Sequence, residues 1–223
     1  DVYKRQAVAG TNCAHGAPLG EEDLRATNEF CGVPADKTFF VPDDVKACHL
    51  EAAAAGQAMR EQWADMFKGC TNDHPEKAAE IGRRFQNKVP ADLFTHLPSL
   101  PKGEDKDKIE LANMSTRALA AIALSSITSH FPELIGGSAD LTLSVFPKYD
   151  GANDFQKQTP QGKYIRFGVR EHATIAVCNG LMAYGGMRPY CNAMLNFLGY
   201  GMGALRVSAL SEFGVIFIAT HDS

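Results

Sequence analysis

The 223-residue chain predicts an α/β fold, a parallel sheet joined by crossover helices. Three observations predict it. Short extended runs at Leu134–Ile135, Lys163–Phe167, Arg188–Asn192 and Val215–Ala219 alternate with helix-length apolar patterns. The last run, Val215–Ala219, is continuously apolar, as a parallel strand covered on both faces is. Each run is followed at once by residues that can do chemistry: Asp140 and Ser144, then Arg170-Glu171-His172, then Met194 to Phe197, then His221. Ligands of open α/β sheets bind outside the carboxyl ends of the strands, so these four ends point to one ligand-binding edge.

The elements follow in order. Ala9–Gly20 is a polar, glycine-rich loop that holds His15. Glu21–Cys31 reads as a short helix, Val33–Lys37 as a turn and Phe39–Val41 as extended. Pro42-Asp43-Asp44 is a helix-start signal. The helix it opens carries Val45, Cys48, Ala52, Ala55, Met59, Trp63 and Met66 in steps of three and four, an amphipathic stripe that ends near Gly69. A second helix covers Glu76 to about Asn87. Val89–Asn113, with Pro90, Pro98, Pro101 and the charged run Lys102–Lys108, reads as an interdomain linker. Ser115–His130 is a helix with Leu119, Ile122, Ala123, Ile127 and Phe131 on its apolar side. A polar loop spans Phe146–Gly162. The helix after Gly168 is apolar on nearly every face except Asn179 and Gly180, and Glu171 stands at its mouth. A further helix spans about Leu195–Ser211.

Composition excludes several classes. A net charge of −4 without a basic run argues against nucleic acid as the main partner. No stretch is long and apolar enough to span a bilayer, and the start does not resemble a signal peptide. The six cysteines form no CxxC pair and read as reduced thiols, and the seven histidines show no metal-ligand spacing. A strand such as Val215–Ala219 is rarely the last element of a domain, and Asp1–Gln6 has no periodicity, so the chain is expected to be a fragment cut at both ends.

Each candidate residue has a structural and a functional reading. Glu171 is an N-terminal helix carboxylate paired with Arg170, or a carboxyl group that exchanges a proton with a bound heterocycle. Gly136-Gly137-Ser138-Ala139-Asp140 is a tight strand-to-loop turn, or a backbone approach to a ligand anchored by Asp140. Arg117, in the first turn of its helix, is a solvated arginine or part of an anion site that Ser144 could join. Phe197 and Tyr200 are core packing or the cradle of a flat ring. His15 and His221 are single histidines, and His221 is the better functional candidate because it caps a strand beside an aspartate.

Taken together, five strings closely resemble the transketolase family. They are Gly136-Gly137-Ser138-Ala139-Asp140-Leu141-Thr142, Arg166 to His172, Leu195-Asn196-Phe197, Arg206 to Leu210 and Ala219 to Ser223. Gly10-Thr11 and Ala14 to Leu19 extend the match into the first half. The resemblance implies a thiamine-diphosphate-binding fold, a parallel sheet with helices on both faces, truncated at both ends. Residues 1–100 would be the tail of the diphosphate-binding domain, 101–112 a linker and 113–223 the front of the pyrimidine-binding domain. Asp1–Gln6 does not match the strand expected there and is set aside as a cloning or assembly artefact.

The resemblance also implies roles. Glu171 would hydrogen-bond the pyrimidine nitrogen of thiamine diphosphate and favour the tautomer that activates the cofactor. Phe197 and Tyr200 would wall the ring, with Met194 where a stacking phenylalanine is usual. Asp140 would contact the cofactor, and His15 would lie near its diphosphate, suited to proton transfer. Arg117, Ser144 and His221 would grip the phosphate of the sugar. The metal, Mg2+ or Ca2+, would be bound by residues upstream, with no metal ligand in this chain. The implied assembly is a homodimer with active sites between subunits, acting on sugar phosphates in the pentose phosphate pathway or the Calvin cycle, in the cytoplasm or a plastid. The implied reaction is reversible transfer of a two-carbon ketol unit, and the isolated piece is expected to be inactive. Departures stand at Asn12, Leu143, Val145, Cys191-Asn192 and Met194. The rival readings are a formaldehyde transketolase, a deoxyxylulose phosphate synthase, or a non-catalytic transketolase-like protein.

Overall fold

The structure is a computed structural model that describes residues 8–16, 18–98, 114–145 and 148–220. Asp1–Gln6, His221 and most of the expected linker therefore lie outside the described residues. The chain divides into two compact units, Asp1–Gly69 and Cys70–Ser223.

The first unit holds a 3-10 turn (Asn12–Ala14), helix α1 (Glu21–Phe30) and most of helix α2 (Asp43–Asp73). Glu21, Glu22 and Asp23 occupy the first turn of α1, and Asp43 and Asp44 that of α2, where carboxylates favour the positive end of the helix. α2 runs past Gly69, because a single glycine disfavours a helix by only about 1 kcal/mol. Its apolar stripe is not a core face: no residue of α2 is buried, and Met59, Trp63 and Met66 are exposed. Trp63 instead stacks on Phe67, four residues on, at 5.1 Å between ring centroids.

The second unit contains α3 (Pro75–Phe85), a 3-10 turn (Leu93–His96), α4 (Thr116–Thr128), β1 (Leu134–Ser138), α5 (Thr142–Val145), β2 (Tyr164–Arg166), α6 (Glu171–Tyr184), β3 (Arg188–Met194), α7 (Leu198–Leu210) and β4 (Ile216–Thr220). The strands lie in the order β2-β1-β3-β4 and every neighbouring pair is parallel. All four carboxyl ends therefore share one edge, as the alternation of elements predicts.

Strand alternation gives the sheet two covered faces. Tyr190 packs with Leu93, Leu124, Phe131 and Leu134, so α4 covers one face. Its neighbour Cys191 packs with Phe167, Ile175, Cys178 and Ala204, so α6 and α7 cover the other. This is the expected α/β architecture with helices on both faces.

Two expectations need correction. Gly136-Gly137-Ser138 is strand interior, not a turn. A Cβ added at Gly136 would overlap the Tyr190 carbonyl, and one at Gly137 the Ile165 carbonyl. These glycines let neighbouring backbones pass. Gly137→Ala is therefore expected to destabilise the protein by about 3 kcal/mol, the upper end for overpacking, because backbone rather than a mobile side chain is the obstacle. A urea titration measures it. The second correction is β4, which is only partly covered, with Ile216 exposed. It is an edge strand among those described, paired on one side by β3.

A polar clamp ties α3 to the amino ends of the strands. Arg83 donates from Nη1 and Nη2 to Glu133 Oε1 and Oε2 at 2.6 and 2.9 Å. The Glu133 side chain is only 5% exposed. Arg83 also binds Glu80, and Arg188 donates to the carbonyls of Asn87 and Gly214. This clamp lies at the edge opposite the candidate site.

Candidate active site

Glu171 opens α6 directly after the turn that leaves β2. Gly168, at φ +73°, makes that turn possible. The Glu171 residue is 8% exposed, and among the described residues its carboxyl has no hydrogen bond or ion pair. The pairing with Arg170 does not form. The Arg170 guanidinium folds back over Gly168, 3.2 Å from where a Cβ there would stand. The Glu171 carboxyl oxygens are not among the fully buried unpaired atoms, so they keep some solvent, and the positive end of α6 favours their charge.

Glu171 lines a narrow cleft of about 10 Å³ with Ala139, Thr174, Cys191 and Leu198. Thr174 Oγ1 is buried there without a partner among the described residues. α7 closes on this cleft because Gly201 brings it against α6: an added Cβ would stand 3.4 Å from the Glu171 carbonyl oxygen and overlap Ile175 Cδ1. The turn before Gly201 carries the two aromatic candidates. Phe197 caps α7 and is half-buried, whereas Tyr200 is 75% exposed, so it is not a core residue. Their rings lie 6.4 Å apart, tilted by 42°. Met194, half-buried, ends β3.

Asp140 lies just past β1, exposed, at φ +67°. That left-handed conformation favours glycine, and a short polar side chain tolerates it. Arg117, in the first turn of α4, donates from Nη1 to the Ser144 carbonyl at 3.1 Å, so the structure brings these two candidates together. His15 is exposed in the first unit, at the end of the 3-10 turn.

Sequence reasoning missed Thr142, Tyr164 and Thr174. Tyr164 is fully buried in β2 and its hydroxyl lies 2.7 Å from Thr142 Oγ1. Lys148 and Arg166 stand over its ring at 5.3 and 5.6 Å. Asp154 bridges those two cations at 2.9 and 2.7 Å. Burial pushes the Tyr164 phenol up, partly offset by the Thr142 hydrogen bond, while Arg166 and then Lys148 hold Asp154 below the usual carboxylate range. A tyrosine in a three-residue strand and a threonine opening a four-residue helix carry no spacing that would link them.

Two families match this chain. The family described as "Transketolase, pyrimidine binding domain" matches residues 112–223, and "Transketolase, thiamine diphosphate binding domain" matches residues 3–90. This chain belongs to the transketolase family. The transketolase of Scheffersomyces stipitis is 40% identical over 96% of this chain and 32% of its own length. Transketolase-1, chloroplastic, of Arabidopsis thaliana is 37% identical over 99% of this chain and 29% of its own length. The crystal structure of the Pichia stipitis transketolase in complex with sedoheptulose-7-phosphate superposes with a TM-score of 0.78 at 39% identity, over 95% of this chain and 31% of that one. Transketolase from Leishmania mexicana gives a TM-score of 0.77 at 36% identity. The chain thus spans about a third of the transketolases it matches. The family read from five short strings is the family found, and its fold is the one observed. The side chains here are of the kinds an aminopyrimidine would need: the Glu171 carboxyl, without a partner among the described residues, and the exposed Tyr200 ring in the first turn of α7.

Proposed function

We propose that the protein bearing this chain is a transketolase that moves a two-carbon ketol unit from a ketose phosphate to an aldose phosphate. The observation that supports this reading is the carboxyl of Glu171, unpartnered among the described residues and in a residue only 8% exposed, at the shared strand edge of a transketolase-family domain. Thiamine diphosphate, when bound, supplies the carbon nucleophile and electron sink for such a reaction. The chain's own residues bind, orient and move protons. Glu171 holds a proton at a pyrimidine ring nitrogen. Phe197, Tyr200 and Met194 wall the ring and exclude water, and Asp140 contacts the cofactor. His15 serves proton transfer near the diphosphate. Arg117, Ser144 and His221 grip the sugar phosphate, and the guanidinium supplies the fixed charge that a phosphate requires.

The assembly we propose is a homodimer, with Mg2+ or Ca2+ held by residues outside this chain. The compartment is the cytoplasm or a plastid, the latter because matched plant transketolases are named chloroplastic. No helix among the described residues is long and apolar enough to cross a membrane.

The test uses protein expressed from its full reading frame, with thiamine diphosphate and a divalent metal. Ketol transfer between a ketose phosphate and an aldose phosphate is expected. Arg117→Leu is expected to raise KM for the phosphorylated donor by about tenfold to a hundredfold, the worth of one charged hydrogen bond, and to leave KM for an unphosphorylated ketol donor unchanged. Equal effects on both donors would remove Arg117 from the phosphate site.

A further inference from the structure

The segment that carries Ser144 leaves β1 at Asp140 and returns to the sheet at β2. Both of its arms converge on one residue. On the outgoing arm, Thr142 meets the Tyr164 hydroxyl at 2.7 Å. On the returning arm, the Tyr164 backbone donates to the Asn153 carbonyl at 3.1 Å and accepts from Phe155 N at 2.7 Å. Lys148, on the same arm, stands over the Tyr164 ring and is fixed there by Asp154. The ring cannot move to follow the loop, because Tyr164 is fully buried in the sheet and held from above by two cations. The remaining contacts agree. Tyr149 packs on the cluster around Leu124 and Tyr190, and Asp150 N donates to Ser125 Oγ at 3.4 Å.

The two arms differ in how they are held. The returning arm has several backbone and ionic anchors. The outgoing arm, which carries Ser144, is held at its start by Leu141 N, which donates to Ser138 Oγ at 3.1 Å, and beyond that by the Tyr164 hydroxyl and the Arg117 hydrogen bond to the Ser144 carbonyl. Arg117 needs its guanidinium for the substrate, so it is a poor sole anchor. The hydroxyl of a buried tyrosine is a fixed one.

We propose that Tyr164 is a positioning residue for the sugar-phosphate grip, setting the place of Ser144 through the hydrogen bond between its hydroxyl and Thr142. This rests on the reading of Arg117 and Ser144 as the phosphate site. Tyr164 touches neither substrate nor cofactor. It acts through Thr142, one turn-residue pair before Ser144. The consequence is selective. Loss of the hydroxyl loosens the hold on a phosphate without disturbing Glu171, which lies on the helix that covers the opposite face of the sheet.

The experiment uses the thiamine-diphosphate-loaded protein from the full reading frame. Tyr164→Phe removes one oxygen and keeps the ring. The expected result is a KM for the ketose phosphate donor raised about three- to tenfold, the equivalent of one neutral hydrogen bond, with kcat and the KM for an unphosphorylated ketol donor unchanged. Thr142→Val is expected to reproduce the effect and Thr142→Ser to restore the wild-type value. The Tyr164→Phe/Thr142→Val double variant is expected to be no worse than either single variant, since both break one bond. Should Tyr164→Phe fold poorly, Thr142→Val reads the same bond from its less buried side. An unchanged ratio of the two donors' KM values in both single variants overturns the proposal. If Arg117→Leu changes that ratio and these variants do not, the phosphate site stands and the positioning role alone fails. If Arg117→Leu leaves the ratio unchanged, both fall.

Discussion

Glu171→Gln lowers kcat for ketol transfer by about 10²- to 10⁴-fold, the range for loss of one positioned acid–base group. The same substitution leaves the thermal midpoint unchanged or raises it. The two effects oppose each other for one reason. The residue is 8% exposed and its carboxyl has no partner among the described residues, so a neutral amide of the same shape loses no contact in the folded chain. A residue whose role was to hold the helix in place would behave oppositely: its loss would lower stability and spare turnover in the surviving molecules. Steady-state kinetics and calorimetry on the full-reading-frame protein decide between them. Activity within threefold of wild type removes Glu171 from the chemistry.

Arg83→Met destabilises the protein by about 3–5 kcal/mol, as removal of one partner from a buried ion pair does. Glu133 would keep its carboxylate in the interior with Arg84 Nε, 4.0 Å away, as the nearest cation recorded. The pair joins α3 to the amino end of β1 across 50 residues, so its loss frees the whole helix. The substitution also changes the acid limb. The hydrogen bond from Arg83, then that from Arg84, hold the Glu80 carboxyl down at about 2, from an ordinary 4.5. A carboxyl with a depressed folded value stabilises the protein above pH 4.5, and that contribution disappears as pH falls toward about 2. The wild type is therefore expected to lose stability across that window, and Arg83→Met to lose less of it there. Urea titrations between pH 7 and pH 3 read both effects; the same midpoint for variant and wild type at pH 7 would contradict the first.

The alternation of strands and helices was legible because parallel strands between helices are apolar runs with sharp ends, as at Lys163–Phe167 and Arg188–Asn192. Chain order then gave the common edge. What was not legible is where apolar pattern and burial part company. The α2 stripe has helical spacing, but spacing says only that the residues share a side, not that anything covers it. Gly136-Gly137 looked like a turn because strand glycines are rare, and the reason for them is a close approach of backbones from two other strands. At the site, Glu171 was visible as an awkward charge before a buried helix. Thr142 and Tyr164 were not, since their contact joins residues 22 apart through a loop of no regular period.

The two-faced sheet has a consequence for how such a protein can change. The Leu124–Tyr190 core and the Ile175–Cys191 core touch the same strands from opposite sides. On the proposed reading, one side carries the phosphate grip and the other the proton-holding carboxylate. Drift in sugar preference can therefore accumulate around Ser144 while the reaction itself stays under separate selection. Leu143, exposed beside Ser144, lies where such drift is least constrained by packing.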